Sequence, residues 1–363
     1  MEKQKAYILA VVALVLIAAV GAALILNGNG TDATGAESEV TDALGRTVNI
    51  PEEIDSVFCV GACSLRLVSY FDAVDKVNAL EADGTFNTRD DQTYYLVNKE
   101  TFSPLPRAGT DAESIVKLKP SIIITSTAND AAAANDLQSK TGVPVYAINA
   151  NLEFGEEFYK QISSLGTLFG EEKRAADLNK GIAGLIEDIT SDALVDNPAT
   201  AYASGMFYYG GASLLKASGN YLPFDYSNLT NAMKAAENGQ PYMITLETLI
   251  EADPDYFFID SIGLSGCIAS INEHISKGTG LDKVSAISHE RIYSTMVYKC
   301  YGTNWENQLI NVYFVASKVN GGSSWVFEEK ANEIIQLFYP HTTMTYSDIV
   351  DGQSGSGCAK VTL

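Results

Sequence analysis

Three serines of this 363-residue chain, Ser64, Ser204 and Ser265, stand in turns where a nucleophile could be exposed. A serine hydrolase would need one of them tied to a base. None lies in a G-x-S-x-G elbow, and the only histidines, His274, His289 and His341, are far apart in the sequence. A metal centre fares no better, because the five cysteines show no Cys-x2-Cys spacing and no H-E-x-x-H occurs. Neither G-x-G-x-x-G nor G-x-x-x-x-G-K is present, so a nucleotide site is not supported. What the residues suit is non-covalent capture. Residues 204–212 read SGMFYYGGA, with Phe207, Tyr208 and Tyr209 between Gly205 and the pair Gly210 and Gly211. That is the composition of a loop needing close backbone approach and large rigid contact surface. Two small-residue turns, one with Cys63 and Ser64 and one with Thr127 and Asn129, follow apolar runs and can supply backbone N–H groups. A third turn, YGTNWEN at residues 301–307, adds Tyr301 and Trp305.

These turns must be placed by strands and helices, and the sequence marks the elements. Residues 113–124 read ESIVKLKPSIII and residues 247–258 read ETLIEADPDYFF, an ungapped echo of one helix, a proline and a strand. Proline ends the helix and biases the residue before it toward extended geometry. Two such units on either side of a middle segment predict two similar α/β lobes with a cleft between them. Residues 57–60 form a compact apolar run suited to a buried parallel strand, and residues 65–71 resume at helical spacing. Strand, small-residue turn and helix start in that order place the turn at the carboxyl edge of a sheet, where open α/β folds bind ligands. Residues 80–109 are an irregular polar connection long enough to have a binding role. Apolar positions from Phe158 to Ile189 recur at three and four residues, with an interruption at Gly170, and read as a stiff helical connector. The expected organisation is an N-terminal segment 1–26, a tether 27–40, a first lobe 41–151, a connecting helix 152–192 and a second lobe 193–363.

Residues 6–26 are apolar and uncharged, follow Lys3 and Lys5, and are long enough to span a bilayer with everything after them outside the cell. They read as an uncleaved anchor, with cleavage near Ala36 and Glu37 as the alternative. No cysteine precedes Cys59, so lipid attachment has no residue to use there. An extracellular location permits disulfides, and Cys267 with Cys300 is the first expectation. Asn228 opens an Asn-Leu-Thr acceptor for glycosylation. The net charge of -21 repels phosphate backbones and argues against nucleic acid as a partner.

The order of motifs resembles the substrate-binding proteins of iron-complex and cobalamin ABC importers. The resemblance rests on DALGRTVNIP at residues 42–51, SLRLVSYFDAVDKV at 64–77, the two copies of the echo, TGVPVYAI at 141–148 and YGTNWENQL at 301–309. It implies two Rossmann-like lobes with mostly parallel sheets joined by a single long rigid helix, preceded by the N-terminal transmembrane or signal helix. It also implies a monomeric, non-enzymatic receptor without a cofactor. Such a receptor captures a metal chelate, for example a ferric siderophore, haem or corrinoid, and passes it to a membrane permease driven by a cytoplasmic ATPase. In that frame Arg89 and Arg107, in the long polar connection, become candidates for the rim of an anionic chelate. Cys63, Ser64, Thr127 and Asn129 would add donors, and Tyr208, Tyr209, Tyr301 and Trp305 an aromatic wall. Much of the family carries a permease-docking Glu on the helix after the first turn. Arg66 stands at the nearest place here, so Asp72, Glu81 and Glu306 are the acidic candidates for docking. An extracellular hydrolase and a surface-binding protein without a transport role are the competing classes.

Overall fold

Helix, proline and strand recur as the echo predicts, and in both copies the proline follows a helix closed in the same way. The computed structural model describes residues 39–82, 92–192, 199–206, 211–319 and 325–363. Helix Ala112–Leu118 begins at Asp111, whose carboxylate accepts from Ser114 N–H, and helix Leu246–Ala252 begins at Thr245, whose hydroxyl accepts from Thr248 N–H. Both end on a left-handed residue, Lys119 at φ 51° and Asp253 at φ 40°. The expectation of an extended residue before each proline is therefore corrected. The left-handed state also avoids the right-handed region that the proline ring disfavours. In addition it lets Lys119 N–H reach Ile115 O and Asp253 N–H reach Ile250 O, closing the last turn.

The chain divides into two compact units. In the first, β1 (Glu39–Thr41) and β2 (Thr47–Asn49) form an antiparallel hairpin. A five-stranded sheet is built from β3 (Val57–Val60), β4 (Val77–Glu81), β5 (Arg107–Ala108), β6 (Ile122–Thr125) and β7 (Val145–Ala147). Its order is β5-β4-β3-β6-β7, with every pairing parallel. The second unit holds β8 (Thr200–Ser204), β9 (Lys216–Ala217), β10 (Thr230–Asn231), β11 (Tyr242–Met243), β12 (Tyr256–Asp260), β13 (Ile292–Thr295) and β14 (Ala359–Lys360). Its main sheet runs β10-β8-β12-β13-β14, parallel except for β14, while β9 and β11 make a separate antiparallel pair. The echo strands β6 and β12 thus occupy the same place, beside the first main-sheet strand of each unit. β3 and β6 are buried along their whole length and β12 along all but its first residue, as a sheet covered on both faces requires.

The DALGR motif has a structural task. Asp42 is buried, and its carboxylate accepts from the N–H groups of Leu44, Arg46 and Ala147 and from Arg46 Nε at 2.9 Å. Arg46 in turn donates to Asn135 Oδ1 and to Val145 O. One carboxylate and one guanidinium therefore pin the β1–β2 hairpin to the β7 edge of the sheet.

The helical periodicity of residues 152–192 forms two helices, Glu156–Phe169 and Glu172–Asp192, parted at Gly170 with φ 69°. They fold back on each other, since Asn179 Nδ2 donates to Tyr159 O and Ser163 Oγ, and a Cβ on Gly166 would lie 2.5 Å from Ala175 Cβ. The second of them carries the chain from the first unit, which ends there at Leu185, into the second. Helix Phe327–Phe338 brings it back, and residues Gln336–Thr343 belong to the first unit. Arg174 seals this return: its Nε donates to Tyr70 O at 2.7 Å and its Nη2 to Leu337 O and Phe338 O. Among the described residues no helix is long and apolar enough to cross a membrane, and the expected anchor at residues 6–26 lies outside them. The expected Cys267–Cys300 disulfide is absent, as all five cysteines remain thiols, and Cys267 packs in the core of the second unit with Tyr202, Phe257 and Ile259.

Candidate functional site

Each main sheet reverses its direction of growth beside its first strand, between β3 and β6 in one unit and between β8 and β12 in the other. The carboxyl ends of strands at such a reversal form the crevice where open α/β sheets hold ligands. In both units a left-handed glycine follows the first strand, Gly61 at φ 82° and Gly205 at φ 80°. Both positions are closely approached. A Cβ on Gly61 would lie 2.6 Å from Ser126 Oγ and from Thr127 Cγ2, and one on Gly205 would lie 2.9 Å from Ile259 Cγ2 and 3.1 Å from Asp260 O. A side chain would displace the Ser126 and Thr127 side chains at Gly61 and crowd Ile259 and the Asp260 backbone at Gly205, and the positive φ at both adds backbone strain, so glycine suits both positions.

In the first unit the turn after Gly61 is held from several sides. Gly61 N–H donates to Glu81 Oε1 at 2.9 Å, Ser64 Oγ donates to Gly61 O at 2.7 Å, and Ser126 N–H donates to Val60 O. Cys63 takes the left-handed N-cap position of helix Ser64–Ser69 at φ 63°, with its thiol 3.8 Å from Ala150 O. The Thr125 and Thr127 hydroxyls are 2.9 Å apart, and Thr127 N–H donates to Thr125 Oγ1. Arg107 is exposed beside this edge, and its Nη1 donates to Glu81 O at 3.2 Å. Arg66 is 1 % exposed, donates from Nη2 to Gln92 Oε1 and stacks 4.5 Å from the centre of the Tyr94 ring. Burial, and then the Glu81 charge, push the Cys59 thiol up, so it stays protonated and unreactive.

The second unit places a buried acid at its reversal. Asp260, the last residue of β12, is 1 % exposed; its Oδ1 accepts from Ile262 N–H and its Oδ2 from Tyr298 N–H at 2.8 Å. Burial pushes its carboxyl up to about 7, against the pull of those two bonds. The hydroxyls of Ser204 and Ser261 are buried without a hydrogen-bond partner at ordinary geometry, Ser204 lying against the Cys267 thiol. Beyond β13 the chain leaves the sheet, and residues 296–298 are paired by side chains. Asn311 donates to Met296 O and accepts from Met296 N–H, Asn304 and Asn307 donate to Val297 O, and Gln308 donates to Tyr298 O. All four amides are buried on or beside helix Trp305–Val319, replacing the strand neighbour that this segment lacks.

Thr127, Asn129 and Arg107 are exposed at the first mouth, whereas Cys63 and Ser64 are buried beneath it and the Ser64 hydroxyl donates to Gly61 O, so neither offers its side chain to a solute. Arg89, Tyr208 and Tyr209 lie outside the described residues. Tyr301 is half-buried in a left-handed turn at φ 54°, whereas Trp305 is 0 % exposed and offers no ring face to a solute. Of the docking candidates, Glu81 and Glu306 are buried and present no carboxylate to a partner surface. Asp72 is exposed in the loop after helix Ser64–Ser69, with its Oδ2 3.0 Å from His341 Nε2. Arg66, at the family's docking place, is interior. Asn228 is exposed at φ 52°. Asp260 and the four amides were not singled out from the sequence. The signal for Asp260 was an acid closing the otherwise apolar run of β12, and the signal for the amides was their three- and four-residue spacing.

Two α/β units with largely parallel sheets give this chain the fold of an ABC transporter substrate-binding protein. The chain belongs to the periplasmic binding protein family, whose model matches residues 71–296. It is 20 % identical over 286 residues to the uncharacterized ABC transporter substrate-binding lipoprotein YvrC of Bacillus subtilis, a match covering 75 % of this chain and 86 % of the relative. Its fold is similar to that of a periplasmic solute-binding protein from Veillonella parvula, with a TM-score of 0.66 at 16 % identity over 87 % of this chain and 98 % of that one. It is also similar to the molybdate-bound periplasmic protein MolA of Haemophilus influenzae, with a TM-score of 0.59 at 15 % identity over 85 % and 99 %. The family is one of solute-binding proteins, which are generally not enzymes.

Proposed function

We propose that this chain is the extracytoplasmic receptor of an ABC importer, and that its solute is a metal chelate of the ferric siderophore, haem or corrinoid kind. The observation that carries the reading is the pair of matching strand-end mouths, closed on Gly61 and Gly205, in a chain of the solute-binding family. The first mouth favours an anionic solute, because the exposed Arg107 stands beside hydroxyl and backbone donors there. Arg89, Tyr208, Tyr209 and Tyr301 belong to the same proposal on sequence grounds. Binding by such groups needs no covalent step. Donors fix the rim of the chelate, and apolar and aromatic surface takes up its body.

Asp72 is the proposed permease contact, being the exposed member of the acidic candidates. The apolar segment 6–26 is the proposed attachment to the outer face of the membrane, where tethering raises the local concentration of loaded receptor at its permease. Titrating the purified full chain with ferric siderophores, haem and cobalamins, followed by tryptophan fluorescence and thermal shift, tests the reading. Saturable one-to-one binding of at least one compound is expected, and flat titrations across the panel would overturn the chelate class. With a compound that binds, Arg107→Gln is expected to weaken an anionic chelate about tenfold or more while leaving the melting temperature unchanged.

A further inference from the structure

We infer that Asp260 is the positioning residue of the second unit's strand-end turns, its one carboxylate tying residues 261–263 and residues 296–298 together from beneath, so that the two turns tighten and loosen as one. Each oxygen serves a different turn. Oδ1 accepts from Ile262 N–H at 3.0 Å in the turn after β12, and Oδ2 accepts from Tyr298 N–H at 2.8 Å in the turn after β13. The second turn has no strand beside it, and its remaining backbone bonds come from Asn304, Asn307, Gln308 and Asn311 on the helix behind. Tyr298 N–H donates to Asp260, so the acid links this segment directly to the end of β12.

The tie is proton-sensitive by construction. Among the described residues the Asp260 charge is felt by the thiols of Cys267, from helix Leu264–Ser276, and Cys358, from the loop before β14. Burial raises both to about 12, so both are neutral at working pH; the Lys318 ammonium acts on Cys358. Burial, outweighing the two N–H donors, raises the folded pKa of this carboxyl from 3.8 to about 7. The tied state therefore holds a proton that an opened, hydrated Asp260 would release. Between about pH 4 and pH 7 the tied state is disfavoured, relative to the opened one, by about tenfold per unit as pH rises. Below that window both states are protonated and above it both are ionised, so the dependence levels off.

That these turns meet the solute rests on the receptor reading; that Asp260 ties them does not. The test is therefore made without solute, by hydrogen exchange of the full chain across that pH range with intrinsic rates corrected. Peptides covering 261–264 and 296–300 are expected to lose protection together, by up to about tenfold per pH unit, while the turn at 125–127 keeps its own. Asp260→Asn keeps one acceptor and sets its NH2 against the other turn's N–H, so the pH dependence should vanish and one turn should be less protected throughout. Wild-type protection that is flat with pH, or turns that respond separately, would overturn the proposal, as would an Asp260→Asn profile identical to wild type. If the variant does not fold, the wild-type profile alone decides.

Discussion

Gly61 and Gly45 separate two effects that a glycine substitution usually mixes. Both have positive φ, 82° and 74°, but a Cβ on Gly45 meets nothing within 4 Å, whereas one on Gly61 meets Ser126 and Thr127 at 2.6 Å. Gly45→Ala should therefore cost only the backbone term of about 1 kcal/mol, and Gly61→Ala about 1–3 kcal/mol more, because two side chains at the strand end must move. Urea denaturation of both variants checks this, and equal losses would remove the close approach from the account. Asp42 offers a second residue-scale test. Removing its carboxylate takes away the counter-charge of the largely buried Arg46 guanidinium and the acceptor of three backbone N–H groups, so Asp42→Ala should lose about 3–5 kcal/mol. A loss below about 1 kcal/mol would contradict its role as the pin of the hairpin.

At the scale of elements, helix Trp305–Val319 does the work that a further strand would otherwise do for residues 296–298. Asn311→Ala strands both the N–H and the carbonyl of Met296 in the interior. At about 1–3 kcal/mol for each unpaired buried group, the loss in stability should be about 2–6 kcal/mol. A smaller loss in chemical denaturation would mean that water or a rearranged amide replaces Asn311. These elements also show what sequence could and could not reveal. The paired helix, proline and strand were legible because each copy carries its own period, cap and stop, all local signals. The left-handed closure before the prolines was not, since the proline's bias excludes one region without choosing between the others. The YGTNWEN turn read as a solute or docking turn because it carries two aromatic residues and an acid, Tyr301, Trp305 and Glu306. The backbone groups of residues 296–298, which have no strand partner, explain why Asn307, Gln308 and Asn311 are buried. Asp260 escaped notice for the same reason, since its two acceptors are needed by turns that converge only in the folded unit.

For the whole molecule, repetition made the architecture legible and motif order the family, while no repeated or local signal named the solute. The negative charge of -21 implies that an anionic solute is drawn in by local arginines against the overall field, so its association should be fastest at higher ionic strength. Stopped-flow mixing over a salt series would show this, and a rate that falls as salt rises would point to a cationic solute instead. Docking is testable at the same scale. Asp72→Arg should leave solute affinity unchanged and impair delivery to the permease, because Asp72 is an exposed carboxylate whose neighbour, His341, is itself exposed. The central claim, that this chain hands a solute to an importer, is tested most directly by reconstituting it with its cognate permease and ATPase in vesicles. ATP hydrolysis should then be followed with loaded and with empty receptor. The account predicts that loaded chain stimulates hydrolysis and accumulates solute inside. A chain that binds solute tightly yet changes neither quantity would contradict it.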